Sequence, residues 1–470
     1  MSLALERPTR WSAVLGVAVL AQTLVSMDSS VLNIAVKTLA DPVSGLGASP
    51  DQLAWAINAY TVVFASAMFA GGALADRFGQ RRALVAGLLL FSVTSALAAF
   101  ASTPVQLVLA RGAMGLGGAL LMPATLAIVI MASRPEQRSR AIAIWASAAA
   151  VGLAIGPVAG GALLGWFWWG SVFLINVPIV LLCLVGIALW VPEYRADRPR
   201  PLDPLGLVLS FAGLGGVVFG VINAGQDWLR LDVLGPILVG LALLGAFAVA
   251  QLRAAEPSFD VRLFTRRRFA GGSLSLMIAF FGVSGQLFYA TFYLQDVRGL
   301  SPLAAGLATA PTALGIVLGN LVAPGLVARW STRWVAAVGM AVSIATFGSY
   351  VLFDQHTPIA WYAAMMLVQG AAMGLVAVPS TAASMAALPP ERSGAGSAVT
   401  SAMRQVGSAL GVAVVGSLLT SSYRAAAGSW TGASFTDGAA YLHAMAFAAG
   451  WTCLLCLAGL ALIVVCLNEN

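Results

Sequence analysis

Apolar residues run through this chain in long stretches separated by short polar or charged breaks. The stretches fall at about 11–36, 52–75, 83–101, 105–131, 141–164, 171–191, 205–223, 233–252, 270–295, 304–328, 334–353, 359–385, 395–421 and 441–467. A helix crosses a bilayer with about 20 apolar residues, and each stretch is long enough. The pattern therefore predicts an all-α polytopic membrane protein with fourteen spans. Many of the 50 glycines and 21 prolines lie inside the runs, where spanning helices tolerate them better than soluble ones do. The first run follows Arg7 and Arg10 and is too long for the apolar part of a cleaved leader, so it reads as an uncleaved first span.

Composition agrees with this reading. Of 470 residues, 60% are hydrophobic and 9% charged, whereas soluble domains carry about 25% charged residues. The net charge of +7 does not point to nucleic acid. Its positive residues fall in short clusters between apolar runs and not on one face of a domain. An even number of spans puts both termini on one side. With that side cytoplasmic, 19 of the 25 Lys and Arg are inside, and four are outside, at Lys37, Arg230, Arg298 and Arg424. The remaining two, Arg111 and Arg404, sit within spans. This bias follows the positive-inside rule, so cytoplasmic termini in the cell's inner, cytoplasmic membrane are expected.

The chain repeats itself weakly. Val151-Gly-Leu-Ala-Ile-Gly156 matches Val406-Gly-Ser-Ala-Leu-Gly411, and Pro123-Ala-Thr125 matches Pro379-Ser-Thr381. Arg138-Ser139 matches Arg392-Ser393, and Gly72-Ala-Leu-Ala75 matches Gly325-Leu-Val-Ala328. Each match is weak alone, but all four share an offset near 255 residues. Spans 1–6 thus correspond to spans 9–14, with spans 7 and 8 left over. The expected organisation is a six-helix bundle at 1–200, a two-helix insert at 201–265 and a second six-helix bundle at 266–470. Paired bundles of this kind are a transporter architecture with binding near the midplane.

Asp28 is the one acidic residue well inside a span. A charge there is costly and marks function by default; a carboxyl so placed can exchange a proton with a transport cavity. Arg111 enters span 4 to a similar depth and can pair with it. The alternative is a fixed ion pair that only sets helix packing. Neither residue has a charged equivalent in the second half, since Asp28 maps near Val283-Ser284 and Arg111 near Gln369. Arg404, deep in span 13, has Ala149 as its counterpart; it offers either a contact to an anion or carbonyl, or a helix-packing donor. On span 5, Gly152, Gly156 and Gly160 share one face beside Pro157, which suits close helix approach. Cys453 and Cys456 lie one turn apart in an apolar run and read as packing residues.

Several stretches resemble the major facilitator superfamily, and within it the fourteen-span drug:proton antiporters. They are Gly72-Ala-Leu-Ala-Asp76-Arg77-Phe-Gly79-Gln80-Arg81-Arg82, Leu109-Ala-Arg111-Gly-Ala-Met114-Gly115, Gly152-x-x-x-Gly156-Pro157-x-x-Gly160-Gly161 and Met27-Asp28-Ser-Ser-Val31-Leu-Asn33. Trp55-x-x-x-x-Tyr60, Phe173-Leu-Ile-Asn176-Val-Pro178 and Arg404-Gln405-Val-Gly407 also fit. The resemblance implies proton-coupled efflux of small lipophilic drugs or antibiotics by alternating access. It implies no enzyme activity and no cofactor beyond the proton gradient. It makes Asp28 and Arg111 the proton-coupling pair. Gly72, Asp76, Arg77, Gly79, Arg81, Gly152, Gly156, Pro157 and Gly160 become gating residues. Met27, Asn33, Asn58, Tyr60, Met114, Gln286, Tyr289, Tyr293, Gln369 and Arg404 become candidates for the substrate lining, although an aromatic stripe at helical spacing also suits packing.

In the family that the chain resembles, exporters of dications often carry a second acid in the C-terminal half; none lies inside a span there, so the resemblance implies neutral or monovalent substrates over dications. The expected partners are a small lipophilic substrate, protons and membrane lipids, and the expected state is a monomer. Export of an endogenous metabolite or lipid is the competing transport function. A polytopic enzyme would need clustered acids or histidines at one membrane face, and the two histidines, His356 and His443, are far apart.

Overall fold

The computed structural model describes residues 11–43, 45–48, 50–194, 203–223, 229–253, 261–300, 302–388, 393–427, 435 and 437–468. In chain order the helices are α1 (Trp11–Ala40), α2 (Pro50–Phe78), α3 (Gln80–Ala99), α4 (Pro104–Ala132), α5 (Arg138–Trp166), α6 (Ser171–Leu174), α7 (Asn176–Trp190) and α8 (Pro204–Asn223). They continue as α9 (Leu231–Arg253), α10 (Arg267–Phe292), α11 (Pro302–Thr309), α12 (Pro311–Arg329), α13 (Thr332–Gly348), α14 (Ile359–Ala386), α15 (Ser393–Ala427) and α16 (Gly438–Cys466). They supply fourteen segments long and apolar enough to cross a membrane.

The helix starts follow from local chemistry. Thr103 accepts a hydrogen bond from Gln106 N and Pro104 opens α4, so one orphan donor is satisfied and one is removed. Asp437 accepts from Ala439 N and Ala440 N at the start of α16, and Ser331 caps α13.

Two spans that read as continuous in the sequence are broken. The sixth divides at Ile175 into α6 and α7, and the tenth divides at Ala310 into α11 and α12. Proline explains both. Pro178 has no N–H for the carbonyl of Leu174, and Pro311 none for that of Leu307. The ninth span ends in a wider turn at Tyr293–Val297. Trp166, Trp168, Trp330 and Trp334 are exposed near span ends, as interfacial anchors are, but Trp169 is buried edge-on against Phe173.

By contact the chain falls into two units. The first holds Met1–Gly215, Ala242–Val261 and Leu388–Ala402; the second holds Gly216–Leu241, Arg262–Ala387 and Met403–Asn470. The divisions fall within α8, α9 and α15, between residues 261 and 262, and between 387 and 388.

Inside the first unit, α5 lies on α1. A Cβ at Gly152 would come 2.5 Å from Thr23 O, and one at Gly156 would come 2.9 Å from Met27 O. Inside the second unit, α15 lies on α10 in the same way. Cβ atoms at Gly407 and Gly411 would collide with the carbonyls of Met277 and Phe281. Every member of the second set is offset from the first by 254 or 255 positions, so the repeat is also a repeat of contacts. Such backbone approach is how spanning helices gain packing energy without a hydrophobic drive.

The core of the second unit is aromatic. Tyr289 and Tyr350 meet edge to face at 5.1 Å, and Tyr293 stacks on Tyr362 at 5.7 Å. Tyr441 closes the group by donating to Tyr289 O at 2.6 Å.

Candidate functional site

Five helices of the first unit bring a charged cluster together. Asp28 from α1 and Arg111 from α4 are 0% and 1% exposed. Arg111 Nη1 is 2.5 Å from Asp28 Oδ2, and Arg111 Nε donates to Ala56 O at 3.2 Å. The guanidinium lies 4.5 Å from the centre of the Tyr60 ring, within cation–π range. Met114, one turn along α4, sets its sulfur 3.9 Å from Nη1.

The other carboxylate oxygen is also held. Asn176 Nδ2, at the start of α7, donates to Asp28 Oδ1 at 2.9 Å and to Ser95 Oγ on α3 at 3.0 Å. Ser95 Oγ donates to Phe173 O at 2.8 Å. Each oxygen of Asp28 therefore faces a donor, and a protonated Asp28 would turn an O–H toward one of them. A buried ion pair adds little stability because desolvation offsets the attraction. Its retention in an apolar span is thus a sign of use more than of strength.

Of the remaining candidates, Tyr60 and Met114 join this cluster. Met27 is buried in the seam between α1 and α5, and Asn58 is half-buried on α2. The side chains of Asn33 and Pro157 lie outside the described residues. Gln286, Tyr289, Tyr293 and Gln369 are all buried in the second unit. Gln286 donates to Tyr350 Oη at 2.7 Å, and Gln369 accepts from Thr346. Arg404 Nη2 donates to Thr381 Oγ1 at 3.1 Å, with its guanidinium 5.6 Å from the Phe280 ring centre.

The turn between α2 and α3 forms a second polar site. Gly79 has φ +105, a conformation that L side chains avoid. Gln80 Nε2 donates to Asp76 Oδ1 at 2.8 Å, and the Arg77 guanidinium lies 5.7 Å from the Phe78 ring centre. Glu193, just beyond α7, takes the Arg81 N–H at 3.2 Å and lies 3.6 Å from Arg82. Gln80 N also donates to Tyr194 O at 2.9 Å. Burial pushes the Tyr194 phenol above its ordinary range. Of the glycines expected to gate, Gly72, Gly79, Gly152, Gly156 and Gly160 are all buried.

Sequence reasoning did not single out Ser95 or Glu193, and it placed Asn176 only as part of a motif. Asn176 did have a signal, as a polar residue inside an apolar run two positions before a proline. Ser95 had none, because serine is tolerated throughout spanning helices.

The family model of the Major Facilitator Superfamily matches residues 18–412 and 272–467. The chain is 36% identical over 418 residues to the multidrug efflux pump LfrA of Mycolicibacterium smegmatis, covering 89% of this chain and 82% of that one. It is 37% identical over 413 residues to the methyl viologen resistance protein SmvA of Salmonella typhimurium, covering 87% and 82%. The human organic anion transporter MFSD10 has the same fold, with a TM-score of 0.68 at 14% identity, over 97% of this chain and 99% of that one.

Proposed function

Because the chain belongs to the major facilitator superfamily, we propose that it is a proton-driven exporter of small lipophilic compounds, antibiotics among them. The observation that carries this reading is the buried Asp28–Arg111 pair. Asp28 takes up a proton when the pump opens outward, and substrate arrival from the cytoplasm favours its release. Arg111 steadies the charged form and must separate from Asp28 during the cycle for the proton to be used, since a ligand shifts a conformational equilibrium only through differential contacts. The relatives named for multidrug efflux and methyl viologen resistance support the direction and breadth of transport.

In this reading the six-span bundles at 1–200 and 266–470 work by alternating access, and 201–265 is an insert. Asp76, Arg77, Gly79 and Arg81 close the cytoplasmic side with Gly72, and the α5 glycines form a sliding seam. Arg404 and the amides of the second unit contribute to substrate contact. The protein works as a monomer in the cytoplasmic membrane with both termini inside, needs no cofactor beyond the proton gradient, and is not an enzyme. The test is a drug-susceptibility panel in a pump-deficient bacterium, paired with ethidium efflux from vesicles under an imposed pH gradient. Resistance that persists in Asp28→Asn, with gradient-driven efflux at the wild-type rate, would overturn the coupling.

A further inference from the structure

The hydrogen bonds around Asp28 fix the orientation of Asn176. Phe173 O can only accept, so the Ser95 hydroxyl spends its proton there. Ser95 Oγ must then accept from Asn176, and the Asp28 carboxylate can only accept as well. Both demands place Nδ2 toward Asp28 and Ser95, and leave Asn176 Oδ1 buried with no partner.

We propose that Asn176 is a positioning residue that reads the protonation of Asp28 and passes it, through Ser95, to the break between α6 and α7. The inference rests on the reading of Asp28 as the proton-exchanging group. One proton is taken up at Asp28 Oδ1 and no other covalent bond changes. The new O–H points at the Asn176 amide, which at present donates. A half-turn of the amide brings Oδ1 to face it. Oδ1 then accepts from Asp28 and from Ser95, and Ser95 lets go of Phe173 O. That carbonyl lies two residues before Ile175, where Pro178 has already removed a helix bond. The local helix is thus held by Ser95 while Asp28 is charged and released when it is neutral.

The ionisable groups facing Asp28 are the Arg111 guanidinium from α4 and the Tyr60 phenol from α2. Among the described residues, α3 and α7 contribute the uncharged Ser95 and Asn176. On α5, Gly152 and Gly156 meet Thr23, Ser26, Met27 and Ser30 of α1 and bring no titratable group. Arg111 meets Oδ2, so among the described residues Asn176 is the one placed to answer a proton on Oδ1.

The test is an infrared pH titration of the full chain in lipid, with isotope-labelled asparagine. The wild type is expected to show a carboxylic C=O band that Asp28→Asn removes. If the wild type lacks that band, the coupling reading itself fails. If the band is present, an asparagine amide band should change with the same pH midpoint. Asn176→Leu should lose that amide change while the carboxyl band stays. An asparagine amide change that persists in folded Asn176→Leu, or a titrating carboxyl with no amide change in the wild type, would overturn the assignment. The second observation needs no variant to fold. Hydrogen exchange across residues 171–177, corrected for its intrinsic pH dependence, should quicken below the midpoint in the wild type and not in Ser95→Ala. Exchange that ignores the midpoint in the wild type would remove the link to the helix break.

Discussion

Arg111 crosses from α4 to Asp28 on α1, with 2.5 Å between Nη1 and Oδ2 where both side chains are closed off from solvent. Arg111 cannot shed its proton, so only Asp28 can change the charge of the pair. Asp28→Asn should therefore fold and reach the membrane, held by Ala56 O and the Tyr60 face against Arg111. It should lose gradient-driven efflux. Asp28→Glu should keep part of the rate with a displaced pH profile. Vesicle efflux under an imposed pH gradient measures both.

The glycines of α5 make a graded test of the seam with α1. A Cβ at Gly156 would meet Met27 O at 2.9 Å and the Ser30 hydroxyl still closer, whereas one at Gly161 meets nothing within 4 Å. Gly156→Ala should cost about 1–3 kcal/mol, as overpacking does, and Gly161→Ala nearly nothing. Thermal unfolding of the purified protein in one detergent separates them, and equal losses would refute the contact.

At the turn between α2 and α3, Gly79→Ala forces a Cβ onto φ +105 and into the Glu193 carboxylate. The strain should cost about 1–3 kcal/mol. Glu193→Gln keeps the acceptor for Arg81 N and gives up only the exposed contact to Arg82, so it should cost less than about 1 kcal/mol. The same unfolding assay ranks the two.

Asp354, in the loop between α13 and α14, has a pKa held below its ordinary 3.8. The Thr357 hydroxyl and the His356 N–H both donate to its carboxylate. Its folded-state affinity for protons is depressed, so these bonds are in full force above pH 3.8 and fade as the pH falls below that value. Hydrogen exchange at His356 and Thr357 should accelerate on acidification beyond the intrinsic trend. In Asp354→Asn it should not.

Topology is checked by labelling. In a cysteine-free background, Glu136→Cys should react with a membrane-impermeant maleimide only in inverted vesicles. Labelling of intact cells there would reverse the orientation that the 19 inside and four outside basic residues support.

Hydropathy made the spans legible, because a bilayer asks the same thing of every crossing segment. It could not show the breaks at Ile175 and Ala310, since a missing N–H one turn later leaves the run apolar. Asp28 and Arg111 stood out because charge is rare in such surroundings. Ser95 and Glu193 did not, for serine is ordinary in a span and an acid after a span is ordinary at a membrane face. What identifies those two is whom they touch, at separations of 81 and 112 positions. The glycine pairs were legible as a repeat of letters, and their meaning as a repeat of backbone contacts needed coordinates.

That repeated seam has a consequence for how such a chain can change. Where Gly152 meets Thr23, Gly407 meets Met277 and Gly411 meets Phe281, the nearest contact on the far helix is a main-chain carbonyl. A carbonyl is the same whatever side chain stands at that position. The remaining faces of α1 and α10 are therefore free to exchange residues while the seam stays shut. A protein built this way can change one side chain at a time with the packing of these helices left untouched.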